Sequence, residues 1–442
     1  MTSEHRIPLN GRVLPARSLR ILLALLASML LLFVDGAPAR ASVPGTGTNP
    51  PVALTVPQPT GKHGVGVIKS HLVDTSRQDP WKPERQRELM VSVHYPAVKA
   101  TQYPLSPWLS PGVVPVFEFL MALPGYLAIP TGSVDWAGAR SHSRVAAPLD
   151  TTATSPKVVL FSTAQGTTRE LNTVLIEDLA SRGYIVVSID HTYESAAVEF
   201  PNGRVETGLN HDRGPVTQKK SIDSRVADTR FVLNQLAAVS GTSNATLGNT
   251  ALPTGLAGAI NTTKVGMFGH VQGGYTTAET MYADSRIHAG INLDGVMAYG
   301  DGKGGNPYLP GKAAQHGLGE RPMLLMGAGT QGTPTNHDHT SGSDQSWTDF
   351  WSVHHGWKRD LTLNETALDS YTDFSFFLPQ INTTVPIAPA MIELFIGRVD
   401  PVLSMNTQRV YVRSFFDLAL RNKQSDLLNG PSPQYPEIKF NY

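Results

Sequence analysis

The stretch Val265-Gly266-Met267-Phe268-Gly269-His270-Val271-Gln272-Gly273-Gly274 has the spacing of a nucleophile site without the nucleophile. An apolar run over residues 265–268 leads into a glycine-flanked turn, and residues 275–281 can open a helix. A G-x-S-x-G turn between strand and helix lifts a serine hydroxyl clear of a sheet, where a base can activate it against an ester or amide. Gly269 and Gly273 meet the demand for small flanking residues, because strand and helix pack closely there. The central residue is Val271, which has no hydroxyl, thiol or carboxylate. A turn of this kind holds its middle residue at positive φ, where a β-branched side chain is an outlier. The sequence therefore predicts either a relaxed turn or one held strained by Gly269, Gly273 and Gly274. No second G-x-S-x-G occurs in the chain.

Other groups with chemical potential are scattered. Asp294 ends an apolar run over residues 288–293, where a carboxylate either orients a catalytic base or bonds to backbone amides. His191 follows Asp190 at another run's end and reads as a pocket-lining group or a polar turn residue. His337-Asp338-His339 hints at a metal but lies in a Gly/Ser/Thr loop with no third ligand at a recognisable spacing, so no metal is expected. His354-His355 reads as the solvated face of a helix over residues 351–357.

The elements that must position these groups alternate in kind. Short apolar runs at residues 65–68, 89–95, 158–161, 184–190, 265–268, 288–293, 322–327 and 361–363 read as strands. Amphipathic spacing predicts helices over 171–181, 224–236 and 405–420, the first ended by Gly183. Strands and helices alternating from residue 156 onward imply a mainly parallel central sheet covered on both faces. Residues 100–150, rich in proline and aromatics with one helical patch at 117–123, read as a covering segment. The expected organisation is a signal peptide at 1–41, a flexible Pro/Thr/Gly leader at 42–60, N-terminal strands and covering segment at 61–149, and an α/β core at 150–442.

Composition narrows the class. The 442 residues carry 36 basic and 36 acidic side chains, and no basic field points to nucleic acid. Charged residues make up 16%, beside 40 glycines and 33 prolines, which fits a loop-rich globule. Arg12, Arg17 and Arg20 precede an apolar run at 21–34, and Ala39-Arg40-Ala41 forms an A-x-A cleavage site. That is a secretory signal, too short in its apolar part to span a bilayer comfortably, so a secreted chain beginning near Ser42 is expected. Cysteine is absent, excluding disulfides, a thiol nucleophile and thiolate metal sites. No cofactor is expected, and no oligomeric state follows from the sequence. Asn244-Ala245-Thr246, Asn261-Thr262-Thr263, Asn364-Glu365-Thr366 and Asn382-Thr383-Thr384 are glycosylation sequons, relevant in a eukaryotic host.

A set of short motifs in fixed order carries a resemblance. They are His71-Leu72-Val73-Asp74 with Asp79-Pro80-Trp81, Val93-His94-Tyr95-Pro96, Leu179-Ala180-Ser181-Arg182-Gly183-Tyr184 and Asp190-His191-Thr192. Ala227-Asp228-Thr229-Arg230-Phe231, Gly356-Trp357-Lys358-Arg359-Asp360-Leu361 and Ser370-Tyr371-Thr372-Asp373 continue the series. Across residues 61–440 the chain resembles secreted α/β-hydrolases of the platelet-activating-factor acetylhydrolase type, particularly the bacterial lipase/esterase-like members. The resemblance implies an α/β-hydrolase fold and a serine–histidine–aspartate site. Position by position, it puts Val271 at the nucleophile, Asp294 at the acid and Leu368 at the base, where the family reads H-x-S-[FY]-T-D. The oxyanion loop, S-P-G-x-G in the family, is Ser162-Thr163-Ala164-Gln165-Gly166 here. Only Asp294 keeps the family residue, with Ala164, Gln165, His270, Gln272, Asp369 and Tyr371 as the remaining pocket candidates.

Losing the nucleophile or base of such a site costs on the order of 10⁶ in turnover. The first expectation is therefore a pseudohydrolase whose pocket, made apolar by Val271 and Leu368, binds a small apolar or lipid-like ligand or a partner. A lyase, cyclase or isomerase working by confinement in the same pocket is a second reading. An ester hydrolase acting on short-acyl phospholipids or related esters by another route is a third.

Overall fold

The computed structural model describes residues 50–209, 214–242, 244–302, 307–329 and 336–442. The expected signal peptide and the first part of the leader lie outside them. Apolar runs become the strands of one sheet: β1 (Gly64–Gln78), β2 (Gln86–Ala97), β3 (Leu105–Pro107), β4 (Arg140–Val145), β5 (Lys157–Ser162), β6 (Tyr184–Asp190), β7 (Val265–His270), β8 (Ile287–Leu293), β9 (Met323–Gly329), β10 (Lys358–Asn364) and β11 (Ile438–Asn441). Their spatial order is β11–β10–β9–β8–β7–β5–β6–β2–β1–β4–β3. From β6 to β10 the neighbours pair in parallel, β2 pairs antiparallel with both β1 and β6, and β11 closes the far edge antiparallel.

Helices cover both faces, as a parallel sheet requires. They are α1 (Val114–Ala122), α2 (Thr173–Ser181), α3 (Pro215–Val239), α4 (Gln272–Ala283), α5 (Gln345–Val353), α6 (Phe374–Asn382), α7 (Pro389–Ile396) and α8 (Pro401–Arg421). The alternation of β5 shows how one strand serves two cores. Val158 and Leu160 pack with Val232 and Leu236 of α3, Ala278 of α4 and Trp347 of α5. Val159 and Phe161 pack with Leu179 of α2 and Phe416 of α8 on the other face.

The covering segment builds a third cluster, in which Trp108, Val113, Phe117 and Trp136 meet Phe374, Phe377 and Phe395. The Trp108 indole N–H donates to Asp373 at 2.8 Å, tying that segment to the start of α6.

Two expectations change. The described end of the leader is anchored: Val52 donates to the Ser133 carbonyl, Leu54 and Val56 are buried, and the Thr60 amide and hydroxyl both donate to Asp178 at 2.7 Å. Its prolines remove donors without preventing apolar burial, which is what holds it. His354 is fully buried beyond the end of α5, accepting the Leu318 amide at 3.2 Å, so the expected solvated histidine pair is split.

Candidate functional site

The elbow forms with its strain intact. Val271 lies between β7 and α4 at φ 52° and ψ −114°. A Cβ on Gly269 would strike Gly273, one on Gly273 would strike the Ser162 carbonyl, and one on Gly274 would strike the Asn292 side chain. The close approach of strand, helix and β5 therefore fixes the turn, and the Val271 amide donates to Leu293 at 2.8 Å. A residue held in such a region costs about 1–3 kcal/mol. The Val271 side chain is half-buried and carries nothing that attacks.

Asp294, just beyond β8, also has positive φ, 60°. Its Oδ1 accepts the Ala328 amide at 2.8 Å and the His337 Nδ1–H at 2.8 Å. The carboxylate thus bonds to a backbone amide and also to a histidine. His337 Nε2 donates to Asp344 Oδ2 at 2.7 Å, and the ring stacks on Trp347 at 4.0 Å. Burial opposes its protonation, but Asp294 and Asp344 outweigh this and raise its pKa to about 10. Both ring nitrogens are engaged by carboxylates, which favours the imidazolium form.

Leu368, at the expected base position, opens a 3₁₀ turn and is 43% exposed. Its carbonyl accepts the His270 Nε2–H at 2.9 Å. His270 is buried, and burial lowers its pKa to about 4, so it is a neutral strut joining the elbow to this turn. Tyr371 is likewise committed, donating its hydroxyl to the Gly327 carbonyl at 3.0 Å. Asp369 is partly exposed.

The altered oxyanion loop is held firmly. Arg225 donates to the Thr163 carbonyl and to Glu194, both at 2.6 Å, and Gly166, at φ +78°, donates to the Glu194 carbonyl. The Gln165 amide, in the region where an oxyanion donor is expected, meets Gln272 Oε1 at 3.5 Å. Ala164 is buried beneath it.

His191 lines neither of the two described pockets. It lies fully buried in a chain that sequence reasoning missed: Ser162 Oγ to His191 Nε2 at 2.9 Å, and His191 Nδ1 to Asp228 Oδ2 at 3.0 Å. Burial opposes ionisation of Asp228, but Arg87 and His191 hold it far below the usual carboxylate range. The Nδ1–H therefore donates to Asp228, and Nε2 accepts the Ser162 hydroxyl. The pattern copies a catalytic triad, yet none of the three residues touches solvent, so Ser162 reaches no substrate. The only hint in the sequence was Asp190-His191 at a strand end.

His339 is also taken, bonding Asp360 at 2.6 Å and stacking on Trp351. Among the described residues no group of three or more His, Cys, Asp or Glu is arranged to hold a metal, and no helix is long and apolar enough to cross a membrane. A groove of about 620 Å³ lies away from the elbow, lined by Arg77, Pro80, Val216, Lys219, Lys220 and Ser224 among others.

The elbow, its acid and the sheet order are the arrangement of an α/β-hydrolase, and comparison with known proteins agrees. A family model described as platelet-activating factor acetylhydrolase, isoform II, matches residues 52–407. The chain belongs to that family. A probable 1-alkyl-2-acetylglycerophosphocholine esterase from Arthroderma benhamiae is 32% identical over 298 residues, covering 64% of this chain and 65% of that protein. The chain thus aligns with just under two thirds of that relative's length. The solved ferulic acid esterase from Streptomyces cinnamoneus superposes with a TM-score of 0.66 at 31% identity, covering 87% of this chain and 98% of the esterase. In this acetylhydrolase family member the elbow carries Val271.

Proposed function

We propose that this member of the family is an exported pseudohydrolase that binds a small apolar or lipid-like ligand without cleaving it by a serine mechanism. The observation that carries the reading is Val271 at φ 52°, where the turn retains an elbow geometry and the side chain is inert. Three further features support it. Leu368 presents an aliphatic side chain at the expected base position, His337 is locked between two carboxylates, and the Gln165 amide is met by the Gln272 side chain. Half-buried Val271 and exposed Leu368 offer apolar surface suited to an acyl chain. The relative named for a glycerophosphocholine ester favours a lipid-like ligand. Export rests on the basic, apolar and A-x-A pattern of residues 1–41.

The test is ester turnover by the chain from residue 42 on a short-to-medium acyl series, with Val271→Ser/Leu368→His beside it. No turnover above background by the parent is expected. Clear hydrolysis by the parent would sink the reading and require another nucleophile.

A further inference from the structure

The His270–Leu368 hydrogen bond puts Val271 and Asp369 each one residue away from a single contact, on the elbow and on the 3₁₀ turn. Both are partly exposed, as is Gln272, and Leu368 between them is open to solvent. Beside the aliphatic Val271 and Leu368, the Asp369 carboxyl is the acidic group left partly open. Asp294 is engaged by Ala328 and His337, Tyr371 by Gly327 and His270 Nε2 by Leu368, while Gln272 uses its side-chain oxygen on the Gln165 amide. Among the described residues no side chain or amide donates to the Asp369 carboxyl, and no cation pairs with it. Its oxygens are left to solvent or to a ligand, and a neutral carboxyl has one O–H to give.

We propose that Asp369 is a ligand-binding residue whose carboxyl donates a hydrogen bond to a carbonyl or ester oxygen of an apolar ligand lying over Val271 and Leu368. The proposal rests on the ligand-binding reading given above and names the polar feature its ligand carries. A pure hydrocarbon would leave the O–H unpaired, and an anion would meet the neighbouring Asp294 charge. A neutral oxygen acceptor on an aliphatic chain satisfies both conditions.

The surroundings favour the protonated form. Burial, then the charge of Asp294, raises the Asp369 pKa to about 7. Tyr126, from the covering segment, is neutral, its own ionisation opposed by burial and then by Asp369. His270 is neutral below the same turn, and Tyr371 is held far above its usual pKa. Of the helices packed on the turn, α7 brings Glu393, paired with Arg398, and α8 brings Arg409, directed at Asp178. Helix α6 has no titratable residue, and Asp373 at its start is engaged by Trp108. None of these offers Asp369 a counter-ion.

The experiment compares binding of a thirteen-carbon methyl ketone and the alkane of equal length, by displacement of a neutral fluorescent dye, at about pH 6 and about pH 8.5. The carbonyl stretch of the bound ketone is recorded in parallel. At the lower pH the ketone should bind roughly 3- to 10-fold more tightly than the alkane, with its stretch shifted to lower frequency. That advantage should vanish at the higher pH, become independent of pH in Asp369→Asn, and be absent in Asp369→Leu. Equal binding of ketone and alkane by the parent at both pH values would overturn the role of Asp369 and leave the apolar patch standing. Binding of neither would overturn both this assignment and the ligand-binding reading. A ketone preference unchanged in Asp369→Leu would place the donor elsewhere and overturn the assignment alone.

Discussion

His337 donates Nδ1–H to Asp294 Oδ1 at 2.8 Å, the contact a triad acid makes with its base, yet its Nε2–H is spent on Asp344 at 2.7 Å. The pair keeps the grammar of a hydrolase with both ring nitrogens of the histidine engaged. It also makes His337 a structural cation, with a sign that can be measured. In the fold its pKa is raised from 6.5 to about 10, so between those values the folded chain holds a proton that the unfolded chain releases. Stability from this clamp is complete below about pH 6.5, falls as pH rises, and is gone above about pH 10. Urea midpoints of the parent should drop across that window, while those of His337→Gln should be flatter. Asp344, which burial would raise but His337 lowers, acts on the acid side, where its contribution disappears as pH falls.

The elbow should be relieved by removing its β-branch. Glycine takes positive φ without steric cost, and losing the half-buried Val271 side chain forfeits little packing. Val271→Gly is expected to stabilise the chain by roughly 1 kcal/mol in urea unfolding. A loss of stability of that size would mean the valine side chain is held by contacts worth more than the strain.

Restoring a serine alone should not restore reactivity. With His337 committed to two carboxylates and Leu368 aliphatic, Val271→Ser has no base to activate it. Labelling by a fluorophosphonate should be at background for the single change and rise at least tenfold on adding Leu368→His. Labelling of the single variant at the double variant's rate would expose a base not identified above.

The buried Ser162–His191–Asp228 chain is expected to act on stability and to be invisible in labelling. Ser162→Ala should cost roughly 1–3 kcal/mol, because the buried His191 Nε2 is left without its donor. His191→Ala should cost roughly 3–5 kcal/mol, since it opens a cavity and breaks a network also held by Arg87. A reagent that labelled Ser162 in the parent would contradict its zero exposure.

How much of this was readable depends on the range of the interactions. Strands buried on both faces, such as β5, β6 and β7, announce themselves as apolar runs, and the glycines of the elbow fix a turn within ten residues. Site contacts between distant segments left almost no mark. His337 reaches Asp294 from 43 residues away, and its loop composition resembles any surface loop. Ser162, His191 and Asp228 come from two strand ends and a helix, and nothing in their spacing pairs them. The described end of the leader departs from the expected flexibility because Asp178 and the Phe374-containing cluster hold Thr60, Leu54 and Val56.

The two borders of the central sheet carry a further consequence. One ends in β3, three residues closed by Pro107, and the other in β11, four residues beside the C-terminus. Short outer strands, one with a proline that cannot donate, give an incoming chain few hydrogen bonds to copy. A sheet this wide is thereby poorly templated for growth by strand addition.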